Sequence, residues 1–405
     1  MDTLVVVGGG LAAAKAVEEL RSGGYAGRVV LIAREEHLPY ERPPLSKGYL
    51  MGNDDREKVF VHPRSWYDEH EVDLRLGTRA TALDIGGHVV TTDAGPVAYD
   101  RLLLATGAGP RRLAMADDSG APTAYLRTVD DSDRLRDAFG QGRRLAVIGG
   151  GWIGLEAAAA AREAGCEVTV LEALELPLVR VLGREVAEVF RDLHAEHGVD
   201  LRTSVEVTAV SRDDAGRAAV SLADGPAVTA DLLLVGIGAA PSVELAESAG
   251  LLVDNGVVVD DHLRASDPDV FAAGYVANAH HPLLGRHVRV EHWDNAIEQG
   301  RTAARNMMGG DESYNRLPYF FADQYDLGME YVGHIGPEGY DGVVLRGDVP
   351  GRRFAAFWLS GGRVLAGMHV NDWDAIDALR AIVSAGVVDL DRLADPAVPL
   401  RAVVG

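Results

Sequence analysis

Twice in this chain a short apolar run stops at a glycine-rich turn and gives way to an alanine-rich helix. Few folds accommodate that pattern once, and fewer twice. The stronger copy is Arg144-Leu-Ala-Val-Ile-Gly149-Gly-Gly151-Trp-Ile153-Gly154-Leu-Glu156, a full G-x-G-x-x-G between a strand pattern and a helix pattern. The first glycine permits the tight turn. The second admits a pyrophosphate against the backbone, and the third lets helix pack on strand. The next apolar run, Glu167 to Leu171, leads into Glu172, eighteen residues after Gly154. An acid at that place accepts hydrogen bonds from the adenosine ribose and repels a 2′-phosphate, so this unit reads as an NADH site rather than an NADPH site. The first copy, Gly8, Gly10 and Ala13, follows the run Leu4 to Val7. Its ribose-binding acid is expected at Glu35, after the strand pattern beginning at Arg28. Two dinucleotide units in one chain suit a flavin and a nicotinamide, between which electrons pass as a pair.

With 405 residues the chain is too long for one ordinary core. A formal charge of −22 argues against nucleic acid as a partner. The single cysteine, Cys166, rules out a disulfide framework and any C-x-x-C redox dithiol within the chain, and reads as a small buried hydrophobe. No apolar run approaches the roughly 20 residues of a membrane span. The opening also lacks a basic, cleavable leader pattern, so a cytoplasmic protein is expected.

The stretch Leu38-Pro-Tyr-Glu-Arg42-Pro-Pro-Leu-Ser-Lys47 reads as a stiff loop followed by a helix start at Ser46. It would bring the cations Arg42 and Lys47 to a cofactor, unless it is only a solvated loop. Residues 72–100 read as short hairpins, and a buried strand then ends in Thr106-Gly107. From Pro318 onward antiparallel strand patterns precede a helix expected over Trp373 to Ala385. The resulting fold class is α/β, with two Rossmann-like dinucleotide-binding domains and a C-terminal α+β domain. Boundaries are expected near residues 110, 240 and 318.

With Gly236-Ile-Gly238-Ala-Ala-Pro241, His287 to Ala296 and Tyr319 to Asp326 added to these motifs, the chain resembles the NADH-dependent ferredoxin reductases along essentially its whole length. The resemblance implies an FAD-binding domain over 1–109 and 240–317, an NADH-binding domain over 110–239 and an interface domain over 318–405, with FAD held by Gly8, Gly10, Ala13, Glu35, Arg42, Thr106, Gly107, Gly274 and the residue at position 275. It implies NADH held by Gly149, Gly151, Ile153, Gly154, Glu172 and Gly238. It further implies that Lys47 lies near the flavin N5 and pairs with Glu156, and that Trp293 lies close to the isoalloxazine. Read from the residues alone, Lys47 and Glu156 are equally two surface charges, and Trp293 a core tryptophan. The implied partner is a [2Fe–2S] ferredoxin serving an oxygenase, met by a monomer or a dimer. Arg301 and Arg305, four apart on one helix face, are the expected cationic docking residues.

One position departs from the family. It has Ala-x-Gly-Asp, its aspartate holding the ribityl chain of FAD, where this chain has Ala273-Gly274-Tyr275. Loss of that carboxylate leaves two alternatives open: a flavin-poor protein that binds NADH or a partner, and an NADH oxidase with loosely held flavin.

Overall fold

The computed structural model describes residues 2–404. The chain forms two compact units, each assembled from three segments. The first comprises Met1–Pro43, Asp55–Gly109 and Ala239–Pro318; the second comprises Pro44–Asp54, Pro110–Gly238 and Tyr319–Gly405.

The first unit is built on a five-stranded parallel sheet in the order Val270–Ala272, Arg101–Leu104, Thr3–Val7, Arg28–Ile32, Val72–Arg75. The central strands are unbroken apolar runs, as covered parallel strands require, with Val5, Val6, Val30 and Leu103 fully buried. Strand order reverses at Thr3–Val7, which opens a crevice at the carboxyl ends of the strands. The helix Leu11–Ser22 leaves that edge and packs against the distant helix Trp293–Met307. A side chain at Gly300 would come within 2.4 Å of the Ala12 carbonyl oxygen, so glycine there sets the helix spacing. Residues 72–100 are not all hairpins. Val72–Arg75 joins the parallel sheet beside Arg28–Ile32, and only Ala80–Asp84, Val89–Thr92 and Gly95–Ala98 form an antiparallel meander. Four residues of weak alternation do not distinguish the two pairings locally.

The second unit repeats the arrangement. Its parallel order is Asp200–Arg202, Glu167–Leu171, Arg144–Ile148, Leu232–Val235, Thr123–Ala124, with the helix Trp152–Glu163 after the central strand. Cys166 is buried beside the Gly140 backbone, as expected. The same unit holds a five-stranded antiparallel sheet over residues 319–370 and the helix Ile376–Ala385. That helix begins three residues later than expected, because a turn from Asp372 to Ala375 precedes it and leaves Trp373 58% exposed. The helix start expected at Ser46 is a 3₁₀ turn, Pro43–Ser46, after which glycines at 48 and 52 prevent helical continuation. The longest helix among the described residues, Val179–Glu196, has no sequence signal at its start: no side chain caps it, and Gly183 (φ 72°) breaks its first turn.

That helix carries His194, which is fully buried, its Nε2 2.8 Å from Gln324 Oε1. Burial pushes the imidazole down to about 4, with His197 adding to the shift and the Gln324 bond opposing it. An unfolded histidine titrates near 6.5, so the unfolded chain binds the proton first. The contribution to stability is complete above about pH 6.5 and is lost as pH falls toward 4, reaching about 3 kcal/mol at the bottom of that window. In urea unfolding of wild type and His194→Gln at pH 7, 5.5 and 4.5, the stability difference should move in the variant's favour as pH falls. A difference constant with pH contradicts this.

Candidate functional site

In the first unit the sheet's carboxyl edge gathers the residues that the sequence assigns to FAD. Gly8 (φ 142°) turns the chain at the end of the first strand, and a Cβ there would lie 2.1 Å from the Ala105 carbonyl oxygen. Ala13 is fully buried under the strand. Gly10 differs: a Cβ on it would meet nothing within 4 Å, and no side chain caps the helix it opens. The first-turn N–H groups and the helix dipole therefore meet open space beside Gly10, which suits the close approach of a pyrophosphate. Thr106 and Gly107 follow Ala105, with Thr106 Oγ1 donating to the Ser242 carbonyl at 2.7 Å. Gly274 (φ 79°) and Tyr275 form a 3₁₀ turn just past Val270–Ala272. The Gly274 N–H donates to Gln299 Oε1 at 2.9 Å, and Tyr275 packs part-buried on the unit's core.

Glu35 lies beyond the second strand and accepts from Tyr40 Oη at 2.5 Å and from Arg42 Nη2 at 3.1 Å. Burial works against the Arg42 charge, but Tyr40 and Glu35 outweigh it and raise the guanidinium above its ordinary value. Trp293 opens the helix Trp293–Met307, and its indole N–H donates to Glu41 Oε2 at 3.0 Å. It is neither a buried core tryptophan nor fully exposed. Tyr40 and Glu41 were not singled out from the sequence, although they lie in the same proline-stiffened loop as Arg42.

The second unit shows the same division of labour among its glycines. A Cβ at Gly149 (φ 106°) would lie 2.4 Å from the Gly236 carbonyl oxygen, and one at Gly154 would lie 2.1 Å from the Gly149 carbonyl oxygen. At Gly151 it would meet nothing within 4 Å. Gly151→Ala should therefore leave thermal stability nearly unchanged while lowering NADH affinity at least about tenfold, whereas Gly154→Ala should destabilise by about 1–3 kcal/mol. Paired NADH titrations and melting curves check this; equal melting losses in both variants would contradict it.

Glu172 folds over the turn. Its Oε2 accepts from the Gly150 N–H at 2.6 Å and its Oε1 from the Leu174 N–H at 2.8 Å. Each oxygen keeps a further lone pair for a ribose hydroxyl. Gly238 (φ 103°) accepts from the Arg111 N–H at 2.9 Å, and Ile153 is 43% exposed on the first turn of the helix. Glu156, on the next turn, is 5% exposed and accepts from Lys47 Nζ and Ser46 Oγ. The Lys47–Glu156 pair thus lies within this unit, because the arm Pro44–Asp54 packs here. The sequence reads Ser46 only as a helix start, and its bond to Glu156 was not foreseen.

Arg301 and Arg305 do not offer a free cationic surface. Arg301 pairs with Glu298 at 3.1 Å and Glu18 at 3.6 Å; Arg305 pairs with Glu19 at 3.1 Å and Glu312 at 2.5 Å. The acids that neutralise them come partly from the opposing helix Leu11–Ser22, out of sight of helical periodicity. No helix among the described residues is long and apolar enough to cross a membrane.

Against known proteins, residues 2–300 match the pyridine nucleotide-disulphide oxidoreductases and residues 319–404 match the reductase C-terminal domain. The chain is 42% identical over 403 residues to the ferredoxin–NAD(+) reductase component of the anthranilate 1,2-dioxygenase system of Burkholderia cepacia, covering 99% of this chain and 98% of that protein. It is 38% identical over 410 residues to putidaredoxin reductase of Pseudomonas putida, covering 100% and 97%. Its fold superposes on the reductase in the crystal structure of the covalent putidaredoxin reductase–putidaredoxin complex with a TM-score of 0.95 at 37% identity, covering 100% of this chain and 98% of that one.

Proposed function

The chain belongs to the pyridine nucleotide-disulphide oxidoreductase family, and we propose that it is a flavoprotein passing electrons from NADH to a [2Fe–2S] ferredoxin that serves an oxygenase. One observation carries this reading beyond family membership: the two glycine cradles occur in a chain whose sole cysteine is buried. A dithiol cannot accept the electrons, so they must leave to an external acceptor. One NADH then reduces two ferredoxins and releases one proton, which balances charge and electrons. Bound FAD supplies the conversion between the electron pair of NADH and the single electrons of an iron–sulfur centre.

The chain's own residues bind and orient. In this reading the segments 1–109 and 240–317 form the FAD domain, with Gly10 and the helix behind it at the pyrophosphate. Glu35, its carboxylate already directed by Tyr40 and Arg42, meets the ribose of that nucleotide. Segment 110–239 is the NADH domain, with Gly151 at the second pyrophosphate and Glu172 at the second ribose. Lys47, held by Glu156, would present its ammonium to the flavin, and Trp293 is the aromatic residue assigned to the isoalloxazine. Segment 318–405 is the interface domain. Alignment of donor and acceptor, more than proton transfer by a side chain, supplies the rate.

Tyr275 supports a second reading, in which weakly held flavin passes electrons to oxygen. The purified chain, saturated with FAD, separates the cases. Bleaching of its visible bands by NADH without oxygen, followed by reduction of added [2Fe–2S] ferredoxins, is the expected result. Absence of flavin bands even with excess FAD would overturn the flavoprotein reading. Bleaching that is reversed by oxygen but by no ferredoxin would establish the oxidase.

A further inference from the structure

Of the 39 lysines and arginines in the chain, only Lys15, Lys47 and Lys58 are lysines. An ammonium at 47, in a chain that otherwise uses guanidinium, provides a compact point charge that one carboxylate oxygen can hold. Two carboxylates are within its influence. Glu156, from the helix Trp152–Glu163, accepts from Lys47 Nζ with Oε1. Asp323, on the strand Tyr319–Gln324, is within electrostatic reach of it: burial raises this carboxyl above the ordinary range, Lys47 draws it down, and Glu330 pushes it up. The Lys47 ammonium lies 5.7 Å from the ring centre of Phe321 on the same strand.

The terminal torsion of a glutamate is broad and two-fold, so one hydrogen bond does not fix its carboxylate plane. Glu156 has a second: Ser46 Oγ donates to Oε2, and Ser46 is only 4% exposed. The backbone behind Ser46 is itself fixed. Ser132, fully buried, donates through Oγ to the Leu45 carbonyl at 2.9 Å, and Tyr49 Oη donates to Asp133. We propose that Ser46 is a positioning residue: it locks the Glu156 carboxylate so that Lys47 stays on Glu156. This rests on the reading of Lys47 given above. It adds that the location of the ammonium is decided by the neighbouring hydroxyl.

The full-length protein, with and without added FAD, is labelled at pH 8 with an N-hydroxysuccinimide ester. Rates at Lys15, Lys47 and Lys58 are read by mass spectrometry for wild type, Ser46→Ala and Ser46→Thr. Ser46→Ala should raise the Lys47 rate about fivefold relative to Lys58, and Ser46→Thr, which keeps the hydroxyl, should restore it. In rapid anaerobic mixing, Ser46→Ala should slow flavin bleaching by NADH about tenfold at saturation, without change in the NADH dissociation constant. A wild-type Lys47 rate in Ser46→Ala overturns the proposal. So does an equal rise at all three lysines, which reports general loosening, or a failure of Ser46→Thr to rescue while its melting temperature matches wild type. If the protein takes up no FAD, the functional reading fails, while labelling of the flavin-free chain still decides the role of Ser46.

Discussion

Tyr275→Asp should tighten FAD binding by roughly ten- to a hundredfold. The backbone at this position is already set: Gly274 holds its left-handed turn with its N–H on Gln299, and Arg289 Nη1 donates to the Tyr275 carbonyl at 3.3 Å. Substitution therefore changes the chemistry offered at the edge of the cradle and leaves the loop in place. A carboxylate there can accept from a ribityl hydroxyl, and a hydrogen bond to a charged group contributes about 1.5–3 kcal/mol. At about 1.4 kcal/mol per power of ten, that gives the stated range. Removing the phenol also relieves any crowding it imposes on an entering flavin, which works in the same direction. Titration of the flavin-free protein with FAD, read by quenching of flavin fluorescence, measures the change. Tyr275→Phe is the control. If Tyr275→Asp binds no better than wild type while Tyr275→Phe binds worse, the phenol hydroxyl is the functional ligand and the chain has substituted one donor set for another.

The second large effect is expected from the Lys47–Glu156 pair. The Glu156 side chain is 4% exposed and that of Lys47 15%. Both charges have left most of their water behind, and each is tolerated because the other is present. Lys47→Met removes the counter-charge and strands a buried carboxylate on Ser46 alone. Such a loss typically costs about 3–5 kcal/mol. Glu156→Met strands the less buried partner, which retains some solvent, so its loss should be smaller. The double variant should regain most of the difference, because two apolar side chains of similar length need no hydration. Denaturant unfolding of the four proteins gives the coupling directly. Additive losses would mean that the pair contributes nothing as a pair. Flavin bleaching by NADH should fall in all three variants, including the stable double one, so stability and electron transfer part company in a single set of proteins.

Much of the site was legible because its residues have local reasons. Gly8, Gly149 and Gly154 are demanded by a neighbouring backbone oxygen a few ångströms away, and Gly10 and Gly151 by the space in front of them. Glu172 follows from counting along one strand–helix–strand unit. What the sequence could not disclose joins distant segments. Ser46 lies 110 residues from Glu156 and Glu41 lies 252 residues from Trp293. Neither separation has a period, so Ser46 reads as a helix start and Glu41 as one more residue of a stiff loop. Arg301 and Arg305 illustrate the opposite error. Their charge and spacing were plain, but the carboxylates of Glu18 and Glu19 that cancel them belong to a helix near the other end of the chain. The long helix Val179–Glu196 escaped notice because it begins without a cap and is broken at once by Gly183.

The packing of Leu11–Ser22 against Trp293–Met307 governs how the protein is made. The helix Leu11–Ser22 needs Gly300 under Ala12 and Arg305 beside Glu19, both synthesised long after it, before its inner face is covered. At about 5–20 residues per second, the interval between synthesis of the two helices is roughly 15–60 s. For most of that time the nascent sheet lacks its edge strand Val270–Ala272 as well. A chain with this wiring should depend strongly on trigger-type holdases during translation, and a split between the two helices should yield fragments that recover solubility only when co-expressed.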